Sequence, residues 1–382
     1  MRVLQLITGL GVGGAETMLR NLITQFDRTR LETLVISLTT KAPIGNELLA
    51  LGVPVIALGG RGGVLTPRQI LALRHTAAAW NPDVIHSWMY HANLVAQGLG
   101  FLWQGRRPAL ITSVRGALNA PDQQKRALRV VRRLDGLLSR CADAVVFNST
   151  TSAQQHVGIG YDSRRIRVIP NGFDTIRLSP SDSVRAETRR ALGFDSEPLV
   201  GLVARLDPLK GHRLFLQAAQ RVVATRPRCR FLLVGRGCDT SNVQLASWIR
   251  EFALEAHVTL LGERRDMPAI DCSLDIVVSA SLSESFPNAI GEAMACAVPA
   301  VVTDVGDCAA LVGDTGIVVA PRDATALASG IMQLLNLEDP VRRELGRRAR
   351  ARIVARYSLP SIAGQFAELY EALAVSAGRR PK

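Results

Sequence analysis

The sequence predicts an α/β protein made of two doubly wound domains, each built on a parallel sheet. The chain of 382 residues is long enough for two or three domains, and 47% of its residues are hydrophobic, so each domain can bury a core. Short apolar runs alternate along it with helical patterns, and strands that alternate with helices form parallel sheets. The alternation stops in a stretch rich in Ser, Asp, Pro and Gly, residues 171–198, and then starts again.

The first half carries a run of predicted strands joined by predicted helices. The clearest helix is Ala15–Phe26, whose apolar residues recur every three or four positions. It follows a glycine loop, Gly9–Gly14, that closes the first strand. The predicted strands are Arg2–Thr8, Leu34–Leu38, Val53–Ala57, Val84–His86, Leu110–Ser113, Ala144–Asn148 and Ile166–Ile169.

The second half repeats the pattern, with a helix predicted over about residues 211–225. A final helix, Leu359–Leu373, places its apolar residues on one stripe, and a basic tail, Arg379–Lys382, follows it. Because ligands bind open parallel sheets at the carboxyl ends of the strands, we expect a ligand cleft where the two domains face each other. The predicted strands are Leu199–Ala204, Arg230–Val234, Val258–Leu261, Ile276–Ser279, Ala300–Thr303 and Gly316–Val319.

The formal charge of +13 is concentrated in the first half of the chain. Residues 1–170 hold 20 of the 46 Lys and Arg but only 9 of the 33 Asp and Glu. This imbalance indicates an anionic partner for that half. Aromatic residues make up only 5% and do not interleave with the basic runs, so we do not expect nucleic acid as the partner.

The cysteines and the start of the chain indicate a cytoplasmic protein. The six cysteines form no Cys-x-x-Cys pair, which argues against a zinc site and against a disulfide framework and favours a reducing compartment. The apolar run at the start resembles a first strand rather than a signal peptide, and no apolar run is long enough to span a bilayer.

The loop Gly9–Gly14 is the first candidate for chemistry. It places Gly-x-Gly-x-x-Gly between a strand and a helix, where backbone N–H groups and the helix N-terminus can approach a phosphate. A dinucleotide site would also need an acid at the end of the second strand, and that strand ends Ser37–Lys41 without one. A phosphate-approach loop, a dinucleotide site and a purely structural turn all remain open.

The second candidate is the pair Arg205 and Lys210, directly after the strand Leu199–Ala204. An Arg can contact two phosphate oxygens at once and a Lys adds a mobile charge, so the two can converge on one diphosphate. The alternative is that Arg205 and Lys210 are two solvated cations on the surface.

The third candidate runs from Ser281 to Ala295, where a strand leads into a loop and then a helix that begins near Pro287 or Asn288. Glu284 lies in the loop and Glu292 one turn into the helix. Carboxylates are suitable acceptors for sugar hydroxyls. A capping role for Glu284 and a solvated helix face for Glu292 are the alternatives, although the small apolar neighbours of Glu292 indicate burial.

Taken together, these motifs resemble the retaining glycosyltransferases of family 4, which have the GT-B fold. The resemblance covers essentially the whole chain. It rests on Glu284 and Glu292 with seven residues between them, Arg205 with Lys210, Ile169–Asp174 (IPNGFD) and Gly13–Glu16 (GGAE).

The resemblance implies two facing Rossmann-like domains. They would be an acceptor-binding domain, 1–172, and a nucleotide-sugar-binding domain, 173–358, with the terminal helix, 359–375, crossing back to pack on the first. It implies transfer of a hexose from a nucleotide-sugar to an acceptor hydroxyl with retained configuration, and neither a cofactor nor a metal ion.

The resemblance also implies roles for individual residues. Arg205 and Lys210 would hold the donor diphosphate, and Glu284 would bind hydroxyls of the transferred sugar. The remaining donor-binding residues would be Glu292 at the ribose, the backbone N–H groups of Phe286 and Asn288, the loop of Gly11, Gly13 and Gly14, and Arg264 near the nucleobase.

A histidine is the main departure from the family pattern. Many members carry a His in the loop after the fourth strand that contacts the donor sugar, and here Trp88 stands at that place. His91 is then the candidate for this role, and His86 is the reserve. The alternative is that the histidine is only packed and hydrogen-bonded near the cleft.

The acceptor is expected to be lipid-linked or a precursor of a surface polysaccharide such as lipopolysaccharide. Residues 121–140 predict a basic amphipathic helix with Leu128, Val131, Leu134 and Leu138 on one stripe. Such a helix can lie on an anionic membrane surface, which would make the protein peripheral on the inner face of the cytoplasmic membrane; ordinary docking by the apolar stripe is the alternative. Its cations are Lys125, Arg126, Arg129, Arg132 and Arg133.

Other functions of the same architecture remain possible from the sequence. They are an NAD-dependent oxidoreductase that uses the glycine loop, an epimerase or phosphorylase of the same fold, and a non-catalytic sugar-binding protein.

Overall fold

The computed structural model describes residues 1–118 and 126–378. The chain divides into two compact units, one formed by Met1–Gly172 with the segment that begins at Leu359, and the other by Phe173–Ser358. The predicted basic tail Arg379–Lys382 and the predicted helix cation Lys125 lie outside the described residues.

The first unit contains a seven-stranded parallel sheet with the strand order β3-β2-β1-β4-β5-β6-β7. Five of the six residues of β1 are buried, as its apolar sequence predicts for a central strand. The predicted strand Val53–Ala57 is shortened to its last three residues. The strands are β1 Arg2–Ile7, β2 Glu32–Ser37, β3 Val55–Ala57, β4 Val84–Trp88, β5 Ala109–Val114, β6 Ala144–Phe147 and β7 Ile166–Val168.

Helices connect these strands, and the last helix of the chain packs against α1, β4 and β5. The first helix lies where predicted, with Met18, Leu19, Leu22 and Ile23 buried. The helices are α1 Gly14–Gln25, α2 Ile44–Ala50, α3 Pro67–Trp80, α4 Tyr90–Phe101, α5 Arg126–Leu138, α6 Thr150–Val157 and, from the end of the chain, α15 Leu359–Gly378.

The second unit contains a six-stranded parallel sheet with the order β10-β9-β8-β11-β12-β13. Its strands are β8 Leu199–Val203, β9 Arg230–Val234, β10 Val258–Gly262, β11 Ile276–Ser279, β12 Ala300–Thr303 and β13 Gly316–Val319. Its helices are α7 Asp182–Ala191, α8 His212–Thr225, α9 Val243–Glu251, α10 Met267–Ser273, α11 Asn288–Ala295, α12 Cys308–Val312, α13 Ala324–Leu335 and α14 Asp339–Tyr357.

The predicted class, two doubly wound parallel-sheet domains, is therefore confirmed. In each sheet the strand order reverses beside the first strand of the unit, β1 or β8, and this is where open parallel sheets bind ligands. Within the described ranges, none of the helices combines the length and the apolar content that crossing a bilayer requires.

Candidate active site

In the second unit, the loop after β8 is shaped to present a lysine. The Asp207 carboxylate accepts a hydrogen bond from the backbone N–H of Leu209 at 2.9 Å and caps the short helical turn Pro208–Lys210. Gly211 follows with a positive φ of 69°, and a Cβ there would overlap the carbonyl group of Ala280. Glycine therefore allows the loop to lie directly against the residue that follows β11.

The Lys210 side chain reaches across to the loop after β11. Its Nζ lies 2.5 Å from Oε1 of Glu284, and the Ser281 hydroxyl donates to the same oxygen at 2.8 Å. The two loops are also joined through their backbones, since the N–H of Leu282 donates to the carbonyl of Leu209 at 2.7 Å. Lys210, the predicted phosphate contact, and Glu284, the predicted sugar contact, therefore meet at the ends of two adjacent strands.

Arg205 lies at the same strand end but faces solvent. Its guanidinium pairs with Asp207 at 2.9 Å, and 55% of the side chain is exposed. Exposed ion pairs contribute little to stability, so Arg205 can exchange this partner for a ligand phosphate at small cost.

The loop between Glu284 and α11 is fixed by an aromatic anchor. The Phe286 ring is buried and lies 6.1 Å from the ring of Phe173 and 5.8 Å from that of Tyr357. The Phe286 side chain therefore belongs to the core, and only its backbone can serve a ligand. Asn288 is the first residue of α11.

Glu292 lies on α11 and is half-buried. Burial raises the pKa of its carboxyl group to about 7, and the nearby charge of Arg177 opposes this shift. A carboxyl group with this pKa gains or loses its proton under ordinary conditions.

Arg264 follows β10 and forms a two-point ion pair with Asp266, with N–O distances of 2.8 and 2.6 Å. The hydrogen bonds from Arg264 hold the pKa of Asp266 below its usual range. The pair lies on the surface, where the sequence places the nucleobase contact.

In the first unit, the glycine loop leads from β1 into α1. Gly13 precedes the helix in extended conformation and Gly14 is its first residue. No neighbouring atom lies within 4 Å of a Cβ built at Gly11, and Val12 is largely exposed. The loop is therefore open enough to admit a ligand, as expected for a phosphate-approach loop.

His91 lies in the first turn of α4, immediately after β4. It is half-buried, and burial lowers the pKa of its imidazole. A Cβ at Gly63 would lie 3.0 Å from the His91 ring, so the β3–α3 loop passes directly over this side chain. The first candidate histidine therefore lies just after a strand end, and burial favours its neutral form.

The reserve candidate, His86, is wrong for a sugar contact. It is fully buried, with Nδ1 2.7 Å from the Tyr370 hydroxyl on α15 and Nε2 2.6 Å from the Ser113 hydroxyl. Burial and the charge of Arg115 hold the pKa of His86 well below its usual value. Nδ1 therefore joins β4 to α15 and Nε2 joins β4 to β5, so both ring nitrogens are engaged within the unit.

The predicted basic face of α5 needs one correction. Arg126, Arg129 and Arg133 are exposed as expected, but Arg132 is buried with its guanidinium 4.8 Å above the ring of Tyr90. The reason is that the polar side of the helix faces the interior. The carboxylate of Asp135 there accepts hydrogen bonds from Asn93, Gln97 and Tyr161.

The predicted apolar stripe of α5 is divided between the core and the surface. Leu128, Val131 and Leu138 are half-buried, and the first two pack against the core of the unit. Leu134 is 44% exposed, and two apolar residues outside the stripe, Val130 and Leu137, are 57% and 52% exposed. The exposed surface of the helix is therefore both apolar and cationic.

Arg115 and Asp271 are among the ionisable residues that sequence reasoning missed. Arg115, after β5, donates to the carbonyl of Ile169 and to Asn171, and its guanidinium lies 5.0 Å from the ring of Trp88. Burial lowers its pKa to about 9. The other residue is Asp271 on α10, which is almost completely buried. Neither belongs to a motif, so no local pattern indicated them.

Within residues 1–118 and 126–378, no three His, Cys, Asp or Glu side chains are grouped so that they could hold a metal ion. Independence of metal therefore stays a prediction about the reaction.

Comparisons with known proteins show the class of this protein. A family model described as "Glycosyltransferase Family 4" matches residues 12–177, and one described as "Glycosyl transferases group 1" matches residues 197–337. With the two parallel sheets, these matches define the protein as a glycosyltransferase of the GT-B type.

Individual relatives support the same class. A protein of Corynebacterium urealyticum named D-inositol 3-phosphate glycosyltransferase is 29% identical over 94% of this chain and 91% of its own length. The crystal structure of Anabaena HepE with UDP covers 97% of this chain and all of its own, with 26% identity and a TM-score of 0.85. HepE with UDP-glucose gives 27% identity over the same shares and a TM-score of 0.83. The chain is thus similar to family 4 glycosyltransferases over residues 12–177 and to group 1 glycosyl transferases over residues 197–337.

Proposed function

We propose that this glycosyltransferase moves a hexosyl group from a UDP-sugar to a hydroxyl of a lipid-linked or polysaccharide-precursor acceptor, with retention of anomeric configuration. The observation that carries the proposal is the contact between Lys210 and Glu284 at adjacent strand ends. It places a cation suited to a diphosphate beside a carboxylate suited to sugar hydroxyls.

The donor is assigned to the unit 173–358. Lys210 and Arg205 hold the diphosphate, Glu284 the transferred sugar and Glu292 the ribose. The N–H groups of Phe286 and Asn288 contribute near the sugar, and Arg264 lies at the nucleobase. The HepE structures with UDP and UDP-glucose support uridine as the base.

The acceptor is assigned to the unit 1–172 with residues 359–375. His91 is the candidate for a contact to the transferred sugar, because it follows β4 and lies in the first turn of α4. Its neutral imidazole can donate or accept one hydrogen bond at each nitrogen.

The chemistry follows from these charges. The bond between the anomeric carbon and the diphosphate oxygen breaks, and the acceptor oxygen forms its bond on the same face of the sugar. The acceptor proton passes to the departing phosphate oxygen. Lys210 and Arg205 stabilise the negative charge that develops on the diphosphate, so we expect the reaction to need no cofactor or metal.

The acceptor class is supported by α5. An exposed surface that combines Val130, Leu134 and Leu137 with Arg126, Arg129 and Arg133 suits the interface of an anionic membrane. We place the enzyme on the cytoplasmic side, peripheral to the inner face of the membrane. The free thiols of all six cysteines fit a reducing compartment.

The donor is tested by thermal unfolding with UDP-, GDP- and ADP-sugars. A donor at 100 times its dissociation constant adds about 2.7 kcal/mol to the free energy of unfolding. We expect stabilisation by a UDP-hexose and, with a matching acceptor, a product whose anomeric signals in NMR match those of the donor. A product of inverted configuration would refute retention, and stabilisation only by GDP- or ADP-sugars would refute uridine.

The acceptor is tested by offering lipid-linked sugars from a membrane extract and, separately, D-inositol 3-phosphate, the acceptor in the relative's name. We expect a radiolabelled hexose to enter the lipid fraction. Transfer to the soluble inositol phosphate alone would refute the lipid-linked acceptor and leave the assignment of the donor intact.

A further inference from the structure

Asp271 is the most unusual charged residue of the second unit. It lies on α10 and is only 1% exposed. Neither carboxyl oxygen has a hydrogen-bond partner among the described residues. A buried carboxylate without a partner is strongly disfavoured, so the side chain is expected to be the neutral acid.

Two helices that carry carboxyl groups pack on α10. α7 carries Asp182 and Glu187, which are exposed, and α11 carries the half-buried Glu292. After burial, the negative charge of Glu292 is the largest cause that raises the pKa of Asp271 well above its usual value. The two groups therefore interact electrostatically, although one is inside the protein and the other is within reach of a ligand.

Several other ionisable groups lie around this pair, including Arg189 of α7, which pairs with Asp275 after α10. Cys272 is next to Asp271 on α10, and Cys296 closes α11. Arg185 of α7 donates to the carbonyls of Cys272, Ser273 and Leu274 at the end of α10. Arg350 of α14 donates to the carbonyl of Ala295, and Arg177, before α7, is the cation that acts on Glu292. None of these cations forms a hydrogen bond with the Asp271 carboxyl group among the described residues.

We propose that Asp271 is a positioning residue that controls the charge at the ribose contact of the donor. As the neutral acid it allows Glu292 to be the single carboxylate there. As a carboxylate it would place a second negative charge behind Glu292 and oppose the binding of an anionic nucleotide. This inference rests on the proposed function, because it takes Glu292 as the ribose contact.

The proposal requires that the affinity for the donor vary with pH in two ways: along an acid limb the affinity rises with pH, and along an alkaline limb it falls. Because the pKa of Glu292 is about 7, donor affinity should rise as the pH passes through 7 and this carboxylate forms. It should fall again at higher pH, when Asp271 also ionises. UDP-glucose is a suitable probe because its diphosphate carries no further proton to lose in this range, and the ionisation of its uracil ring at the alkaline end acts equally on the parent and on the variants.

The test measures the dissociation constant of UDP-glucose by calorimetry from pH 5.5 to 9.0, for the parent, Asp271→Asn and Glu292→Gln. For the parent we expect binding that tightens as the pH rises through 7 and weakens at least threefold toward the alkaline end of the range. D271N should keep the acid limb and weaken less than the parent at the alkaline end. E292Q should bind weakly at every pH and lose the acid limb.

A matched control is Asp314→Asn, which removes an exposed carboxylate that pairs with Arg348 on the same unit. We expect its pH profile to superimpose on that of the parent. Superimposed profiles of D271N and the parent, with binding intact, would overturn the inference and leave the proposed function standing.

A second measurement needs no ligand. If Asp271 is kept neutral by burial, the folded state is increasingly penalised as the pH rises above the usual range of an aspartate. The unfolding temperature of D271N should match that of the parent near pH 4 and exceed it at pH 8. A difference that does not vary with pH would refute the neutral acid. Failure of UDP-glucose to bind the parent at any pH, despite the expected stability profile, would instead count against the donor assignment.

Discussion

Lys210 Nζ lies 2.5 Å from Glu284 Oε1, so a loop after β8 and a loop after β11 are joined through their side chains. Only 22% of the lysine side chain and 12% of the glutamate side chain are exposed, so water screens the pair poorly. With Ser281 also donating to Glu284, the carboxylate has a fixed position, and the lysine has two hydrogens left for a ligand.

Replacing either partner should stop transfer. We expect Lys210→Met and Glu284→Gln each to lower kcat about 100- to 1,000-fold, because each removes one preorganised electrostatic contact from the transition state. The measurement is turnover with the donor identified by the thermal-shift panel.

The matched control for this pair is Arg213→Ala, which breaks an exposed pair with Glu251 at a similar separation in the same unit. It should leave turnover within twofold. Near-normal turnover of both K210M and E284Q would show that the site is elsewhere.

The exposed apolar residues of α5 should govern membrane binding. Serine at Val130, Leu134 and Leu137 removes the inserting surface, and serine at Arg126, Arg129 and Arg133 removes the attraction to anionic lipid, which is worth about 1 kcal/mol per cation. Each triple variant should sediment less than the parent with vesicles that contain about 30% phosphatidylserine or phosphatidylglycerol.

A control for general hydrophobicity is the double variant Val243→Ser and Val341→Ser, two exposed residues of the second unit. It should bind vesicles like the parent. Parent protein that stays in the supernatant with anionic vesicles would contradict the membrane assignment altogether.

Periodicity predicted the sheets because parallel strands are buried on both faces and so appear as apolar runs. Each predicted run became a strand, including short edge strands such as Ile166–Val168. The loops at the ends of β8 and β11 were also predictable, because their polar residues follow directly on such runs. Lys210 and Glu284 are 74 residues apart and meet only because β8 and β11 are neighbours in the sheet.

Side-chain orientation was less predictable than strand position. Arg132 belongs to the predicted basic face of α5 but is buried, whereas Leu134 belongs to the predicted apolar stripe but is exposed. The reason is that the neighbouring Asp135 is buried and accepts hydrogen bonds from interior side chains. His86 looked like a ligand contact until α15 covered it with Tyr370, nearly 300 residues later in the chain. Such long-range contacts leave no local pattern.

Gly291 should be intolerant of any side chain. A Cβ there would overlap the ring of Phe173, which stacks on Phe286 and so supports the loop of Glu284. We expect Gly291→Ala to destabilise the second unit by about 1–3 kcal/mol, the usual cost of overpacking. The measurement is urea unfolding.

The matched control for this substitution is Gly364→Ala on α15, where no atom lies within 4 Å of the new Cβ. It should leave stability unchanged or raise it by up to about 1 kcal/mol, as alanine favours the helix. Equal unfolding midpoints for G291A and the parent would show that the Phe173 ring can move aside.

Three buried histidines should make the protein sensitive to acid. His86, His156 and His212 are almost completely buried, and burial depresses the pKa of each imidazole, to about 4 for His156 and His212. Above about pH 6.5 these groups are neutral in both states; below it the unfolded chain takes up protons that the folded chain does not. His156 and His212 therefore each lower the free energy of unfolding by about 1.5 kcal/mol between pH 6.5 and 5, and His86 acts in the same direction.

The measurement is the urea midpoint from pH 8 to 5, which should fall below pH 6.5. His156→Gln removes one titrating group, whose ring nitrogens contact the Tyr90 hydroxyl and the Ser152 carbonyl. The variant should be less stable at pH 8 and lose stability less steeply on acidification. His75→Gln changes an exposed histidine and should keep the parent's slope. An H156Q slope equal to that of the parent would mean that His156 is already protonated in the folded protein.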